Sequence, residues 1–302
     1  MASLQSHLLY QMIKLWRRRH PGLRPGPDSY RGVRRLLESS AARVRVPPDI
    51  HVEPTRAGGV PGEWVTAPGA RADRALLYLH GGGYVAGSPA SHRALTAAIS
   101  RAARIRVLAI DYRLAPEHPF PAALDDADAA DAWLLGQGFS ARSIAVGGDS
   151  AGGGLTAALL VRLRDEGRPL PAAAFMFSPW TDLAGTGESA RTRAKLDPML
   201  VGDLAHFGSF YVGPEGDPKH PLISPIHAEL HGLPPLLIQV GTHEVLHDDA
   251  VRLAERVRAG RGRAELDVWD GMIHVFQAFP SFLPEARRAI ARIGEFLRAE
   301  LR

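Results

Sequence analysis

The sequence predicts an α/β fold: a mostly parallel sheet covered by helices on both faces. Two observations carry this expectation. From about residue 72, short apolar runs alternate regularly with segments of helical period. Those runs are continuous and do not alternate apolar with polar, as expected of strands buried on both faces. The chain has 302 residues, 45% of them apolar, so one core of this kind can support itself.

The strand expectations begin near Ile50–Thr55 and Gly62–Thr66, two segments read as antiparallel strands that start the sheet. Ala75–Leu79, Arg106–Ile110, Ser143–Val146, Ala172–Phe177, Leu236–Val240 and Glu265–Trp269 follow as strands, Arg106–Ile110 as a buried one. Between them, His92–Ala103, Ala122–Leu135, Gly152–Glu166 and Asp248–Ala259 carry helical spacing, and Pro284–Leu301 closes the chain as a helix. Two stretches interrupt the alternation: residues 1–45, and the Gly- and Pro-rich stretch from about 181 to 230. Together they read as cap segments over the C-terminal edge of the strands, where open α/β sheets bind ligands. Residues 46–302 then form the catalytic domain.

Leu8, Leu9, Met12, Ile13, Leu15 and Trp16 recur at helical spacing, so the N-terminus reads as an amphipathic helix stopped by His20-Pro21-Gly22. Its charges follow the apolar stretch, the reverse of a secretory signal, and the expected location is cytoplasmic. Packing over the protein's own apolar cleft is favoured over docking on a membrane surface. No run of about 18 apolar residues occurs, which excludes a spanning helix from the expectation.

Net charge is +4 and the isoelectric point about 9.7. The arginines are scattered along helices, apart from Arg17-Arg18-Arg19, so nucleic-acid binding is not expected. Without cysteine, disulfides and thiolate metal sites are excluded.

Gly148-Asp149-Ser150-Ala151-Gly152 fits G-x-S-x-G between a strand and a helix. That setting is what a nucleophile elbow needs: a turn so tight that neighbouring side chains are small and the serine hydroxyl stands above the sheet. A glycine-rich strand–helix turn without chemistry would match the same five residues. His80-Gly81-Gly82-Gly83 follows strand Ala75–Leu79. Consecutive glycines let backbone N–H groups approach a tetrahedral oxyanion, and H-G-G-G is a known oxyanion loop of lipases and esterases. No Gly-Lys-Ser/Thr follows, which disfavours a phosphate loop.

The order of a triad in such a fold is Ser, acid, His. The histidines after Ser150 are His206, His220, His227, His231, His243, His247 and His274. His274 lies just past the last strand, at the edge that would bring imidazole to the serine. The candidate acids are Glu244, Asp248 and Asp249, after strand Leu236–Val240. Glu244 is nearest the strand end, whereas Asp248 and Asp249 can instead cap the next helix. His243-Glu244-Val245-Leu246-His247 also spells the zinc motif H-E-x-x-H. That motif needs both histidines on one helix face, whereas here it follows Gly241 in an expected loop; no metal is expected.

With these residues assembled, the chain from about residue 64 resembles the hormone-sensitive-lipase-like esterases, the bacterial family IV carboxylesterases of the α/β-hydrolase fold. The resemblance rests on the two glycine motifs, on Ser178-Pro179-Trp180-Thr181-Asp182-Leu183, on Gly271-Met272-Ile273-His274-Val275-Phe276, and on the block from Asp111 to Ala123. It implies Ser150 as nucleophile, His274 as general base, and Gly82, Gly83 and Ala151 as oxyanion donors. The acid position falls on Glu244; many members carry aspartate there, which keeps Asp248 as the alternative. His80 is implied to brace the oxyanion loop, and residues 111–123 to be structural support. The implied activity is a cofactor-free serine carboxylesterase cleaving short-chain acyl esters through an acyl-enzyme. The rivals are a lactone hydrolase or natural-product deacetylase of the same mechanism, and, more remotely, a non-catalytic ligand receptor. Receptors of that kind have lost the triad histidine, and His274 is present. The implied partners are a small-molecule ester and, as in many members, a second copy in a homodimer. Stable membrane insertion is not expected.

Overall fold

The computed structural model of the chain describes residues 2–19, 28–41, 46–200 and 204–301. Helices α1 (Leu4–Arg19) and α2 (Ser29–Ala41) precede the sheet. Strands β1 (His51–Ala57) and β2 (Val60–Thr66) form an antiparallel hairpin, and β2 runs antiparallel to β4 (Ile105–Ile110). All further pairs are parallel. They join β4 to β3 (Arg71–Leu79), then β5 (Ile144–Asp149), β6 (Ala173–Phe177), β7 (Leu236–Gly241) and β8 (Ala264–Trp269). The order across the sheet is β1-β2-β4-β3-β5-β6-β7-β8.

The crossover helices are α3 (Pro89–Ala103), α4 (Ala122–Gly136), α5 (Ala151–Asp165), α8 (His247–Ala259) and the closing α9 (Pro284–Glu300). The short α6 (Ser189–Thr192) and α7 (Leu204–Val212) lie between β6 and β7. Side chains alternate in direction along a strand. Leu77 and Leu79 therefore pack with Leu124 of α4 and Leu155 of α5, while Leu76 and Tyr78 pack with Ile99 of α3 and Ile293 of α9. All eight are fully buried or nearly so. This gives the three-layer arrangement that the continuous apolar runs predict.

Boundaries differ where local chemistry overrides the apolar pattern. Helix α3 starts three residues earlier than expected. Ser88 and Ser91 form a reciprocal capping box, and Pro89 supplies a preset φ at the first helical position. Strand β5 continues past the expected Val146 through Gly147 and Gly148 to Asp149, because the ladder to β6 runs on to Asp149↔Phe177. The expected stop of the first helix at residues 20–22 falls outside the described residues.

The two stretches that interrupt the strand–helix alternation meet the body through specific contacts. Arg34 of α2 donates to Val85 O (2.6 Å) and Ala115 O (2.9 Å) and pairs with Glu117 (2.6 Å). Tyr30 of α2 stands edge-on to Phe210 of α7, with ring centroids 5.6 Å apart. Thus α2 and α7 touch each other above the loop that follows β3.

Helix α5 is buried almost from end to end and packs its first turn onto the end of β3. A methyl group on Gly152 would overlap the carbonyl oxygens of Leu79 and His80, which are backbone and have no rotamer to escape into. We therefore expect Gly152→Ala to destabilise the fold by about 3 kcal/mol, read from the midpoint of urea unfolding at unchanged slope.

Candidate active site

Four neighbouring strands each deliver one polar side chain at their C-terminal ends: Ser150 after β5, Ser178 after β6, Glu244 after β7 and His274 after β8. Ser150 sits at φ +53°, in a region side-chain-bearing residues seldom occupy, as a strand-to-helix elbow demands. Its amide is held by Phe177 O (2.8 Å), and its carbonyl accepts from Trp180 N (2.9 Å) and Gly154 N (3.1 Å).

Ser150 Oγ lies 3.0 Å from His274 Nε2, and His274 Nδ1 lies 2.9 Å from Glu244 Oε2. Glu244 is an ionisable acceptor, so Nδ1 carries the proton and donates it, leaving Nε2 to accept from the serine hydroxyl. Ser150 and His274 are buried nearly completely and Glu244 fully. Burial acts to lower the His274 pKa, but the hydrogen bond to Glu244 and its negative charge outweigh burial, so the net shift is upward.

The structure separates Glu244 from the other two candidate acids. Asp248 is the second residue of α8 and not its cap. Its Oδ2 accepts from Ser189 N (2.8 Å) while Ser189 Oγ accepts from Asp248 N (3.0 Å), so it caps the short helix α6 from across the fold. Asp249 is buried and accepts from the amides of Thr181 and Asp182 (2.8 Å each). Burial, followed by the nearby Asp182 carboxylate, pushes its pKa up to about 8. The H-E-x-x-H residues also diverge. His243 stacks obliquely on Tyr10 of α1, Glu244 holds His274, and His247 opens α8 beside Asp248 at 3.3 Å. The other histidines after Ser150 do not share this geometry: His206 packs edge-on to Phe210, and His220 faces Phe120.

The loop after β3 is Gly81-Gly82-Gly83. Gly82 takes φ +127° and Gly83 φ +66°, and a methyl group on Gly82 would overlap Ala86 O. Ala151 is the first residue of α5, where backbone N–H groups have no intrahelical partner and the helix dipole is positive. His80 is buried with its ring stacked on Tyr112 at 4.2 Å, and its Nδ1–H donates to Gly81 O (2.9 Å). Burial, then His92, lowers its pKa to about 3, so His80 is a neutral prop. Tyr112 donates to His80 O (2.7 Å), and Arg113 grips Asp126 through both carboxylate oxygens. The block from Asp111 onward thus props the glycine loop.

Two groups of residues were missed by sequence reasoning. Ser178, at φ +46°, donates to Glu244 Oε1 (2.8 Å) and accepts from Val275 N (3.1 Å). It therefore ties the acid to the residue after His274. Asp149, next to Ser150, accepts from Tyr78 Oη (2.6 Å) and Gly81 N (3.0 Å) and pairs with His92 (3.4 Å). Burial opposes both charges, yet their attraction holds Asp149 below and His92 above their ordinary values. No spacing rule links these residues; only the fold does.

Comparison with known proteins follows the same lines. A family model described as the alpha/beta hydrolase fold matches residues 76–278. An acetyl-hydrolase of Streptomyces hygroscopicus is 44% identical over 300 residues, 99% of this chain and 97% of that protein. An esterase of Acinetobacter venetianus is 36% identical over 250 residues, 82% of each chain. Among solved structures, an esterase of the bacterial hormone-sensitive lipase family superposes with TM-score 0.93 at 47% identity over the whole of both chains. EstE5, in a crystal soaked with p-nitrophenyl butyrate, superposes with TM-score 0.92 at 44% identity over 99% of both.

Two expectations follow from this geometry. Only neutral His274 can accept a proton, so kcat/KM for an ester should rise with pH through a midpoint above the ordinary histidine value. Glu244→Gln should move that limb to lower pH as well as slow turnover, as a pH–rate profile would show. Ser178→Ala removes one donor from a buried carboxylate and leaves Val275 N–H without its acceptor. It should reduce kcat about tenfold or more with KM little changed, measured at saturating p-nitrophenyl acetate.

Proposed function

The chain belongs to the α/β-hydrolase family, among the esterases of the bacterial hormone-sensitive lipase type, and is a carboxylic-ester hydrolase; from that premise we propose that it cleaves short-chain acyl esters through a Ser150–His274–Glu244 triad and an acyl-enzyme. The observation that carries this reading is the continuous relay from Ser150 Oγ to His274 Nε2 and from His274 Nδ1 to Glu244 Oε2.

In the first half-reaction Ser150 Oγ attacks the ester carbonyl carbon while its proton passes to His274 Nε2. Glu244 holds the imidazole in the tautomer with Nδ1 protonated and offsets the charge of the imidazolium. The amides of Gly82, Gly83 and Ala151 donate to the oxyanion. Collapse breaks the bond to the alkoxy oxygen, which leaves with the proton from Nε2. In the second half-reaction water gives its proton to His274 and its oxygen to the acyl carbon, and Ser150 is released. The chain's own side chains and amides supply every proton position in this scheme.

Aromatic packing near Ser150 supports a short acyl group. Tyr84 of the glycine loop stacks on Tyr211 of α7 at 3.7 Å, and Trp180 stands beside Tyr84 at 6.2 Å. All three are buried, and Tyr84 Oη and Trp180 O crowd Gly154, one turn along α5 from Ser150. Packing this dense beside the first turn of α5 supports a shallow acyl site, with α2 and α7 serving as its cap. The similarity to an acetyl-hydrolase over nearly the full length supports a second, narrower reading, removal of an acetyl group from a natural product. Both readings share one mechanism and fit a cytoplasmic enzyme.

Ser150→Ala should lose ester hydrolysis by on the order of 10⁴-fold or more with an unchanged melting temperature, and a serine-directed phosphonate should label Ser150. Full activity in that variant would sink the proposal. Glu244→Ala should lose turnover by up to about 10⁴-fold. By contrast, Asp248→Ala should cost about 1 kcal/mol of stability through the lost α6 cap and leave turnover largely intact. Across p-nitrophenyl esters, kcat/KM should peak within about two to eight acyl carbons; efficient cleavage of long-chain triglyceride contradicts this.

A further inference from the structure

Helix α1 is amphipathic over more of its circumference than one buried face can use. Its inner side is pinned at both ends. Ser3 N and Oγ bind Glu285 of α9 (2.8 and 2.9 Å), and Arg17 donates to Met199 O (3.2 Å). Between these points Leu9 is buried against Met272, Ile273 and Phe276, and Tyr10 meets His243. This settles the orientation: the helix cannot roll its other side onto the body without breaking contacts at each end.

The outward side carries Leu4, Leu8, Met12, Leu15 and Trp16, exposed by 84, 52, 56, 48 and 36%. At 100° per residue these five fall within an arc of about 120°. They make up five of the eight exposed large apolar side chains among the described residues. Single exposed apolar residues need no explanation, whereas a contiguous row does. The polar part of the helix is purely cationic or neutral. It has no Asp or Glu, Lys14 and Arg18 run along one edge of the row, and Arg19 ends it.

We propose that the outer face of α1 is a docking surface for an anionic lipid bilayer, on which the enzyme sits peripherally without spanning it. An apolar row bordered by Lys and Arg, with no acid on the helix, is what a helix lying in a lipid headgroup layer requires. A protein partner would meet the same apolar row but would not need a border free of acids. No helix among the described residues is long and apolar enough to cross a membrane, so the contact is superficial. The inner side of the same helix rests on Met272 and Ile273, directly before His274, so the docked helix lies against the loop that carries His274.

The test is co-sedimentation of the full chain with vesicles of phosphatidylglycerol and phosphatidylcholine in equal parts, against vesicles of phosphatidylcholine alone. Binding to the anionic vesicles at low salt, weakened by added salt, is the expected result. Leu8→Asp with Met12→Asp should reduce the bound fraction about tenfold, with turnover of p-nitrophenyl acetate unchanged. Arg18→Glu with Arg19→Glu provides an independent variant that leaves the apolar row intact and should also release the protein. Equal binding to both vesicle types, or variants that bind as the unsubstituted chain does, overturns the proposal. So does a chain that is dimeric in solution and becomes monomeric on Leu8→Asp, because the face is then occupied by a second copy.

Discussion

The buried carboxylate of Glu244 is the constraint around which the site is arranged. A charge with no solvent exposure is costly unless each of its oxygens is paired. Oε2 faces the His274 ring, and Oε1 takes the Ser178 hydroxyl and the Gly241 amide. These donors arrive from the ends of β8, β6 and β7, so satisfying one carboxylate fixes the relative positions of three loops. Ser178 also accepts from Val275 N, which leaves its own proton for Glu244. Ser178 and Val275 both adopt positive φ. Local backbone cost of this kind is found where a site must aim groups that the chain would not otherwise present.

A second buried charge lies one residue before Ser150. Asp149 and Ser150 are consecutive, and the elbow turns them in opposite directions: the serine toward His274, the aspartate beneath the glycine loop. There Asp149 gathers Tyr78, the Gly81 amide and His92, while Tyr112 and His80 stack alongside. The glycine loop is thus held from behind by a charge-assisted network, not merely by its glycines.

Helix α1 adds a third use of position. The residues that pin it to α9 and to Met199 also decide which of its two apolar sides meets the body. The orientation of a surface helix is a consequence of contacts at its ends as much as of its own periodicity.

The parallel sheet, its crossover helices and the elbow are legible in the sequence because their signals are local. Continuous apolar runs mark β3 through β7, and G-x-S-x-G and H-G-G-G sit where strand meets helix. Chain order then narrows the histidine to His274, and distance from the strand end points to Glu244. Tertiary structure alone decides the rest. Ser178 meets Glu244 across 66 residues of chain and Asp248 meets Ser189 across 59, and neither pair leaves a pattern in one sequence. The rule that an acid early in a helix caps that helix misplaces Asp248, because its carboxylate finds unsatisfied amides on another helix. Burial settles charge states in the same way. His80 and His92 are the same residue type twelve positions apart, yet one is held neutral and the other paired with Asp149. Sequence fixes which groups are available along each strand end; the packing of neighbouring strand ends determines which of them meet, and so which carry a proton.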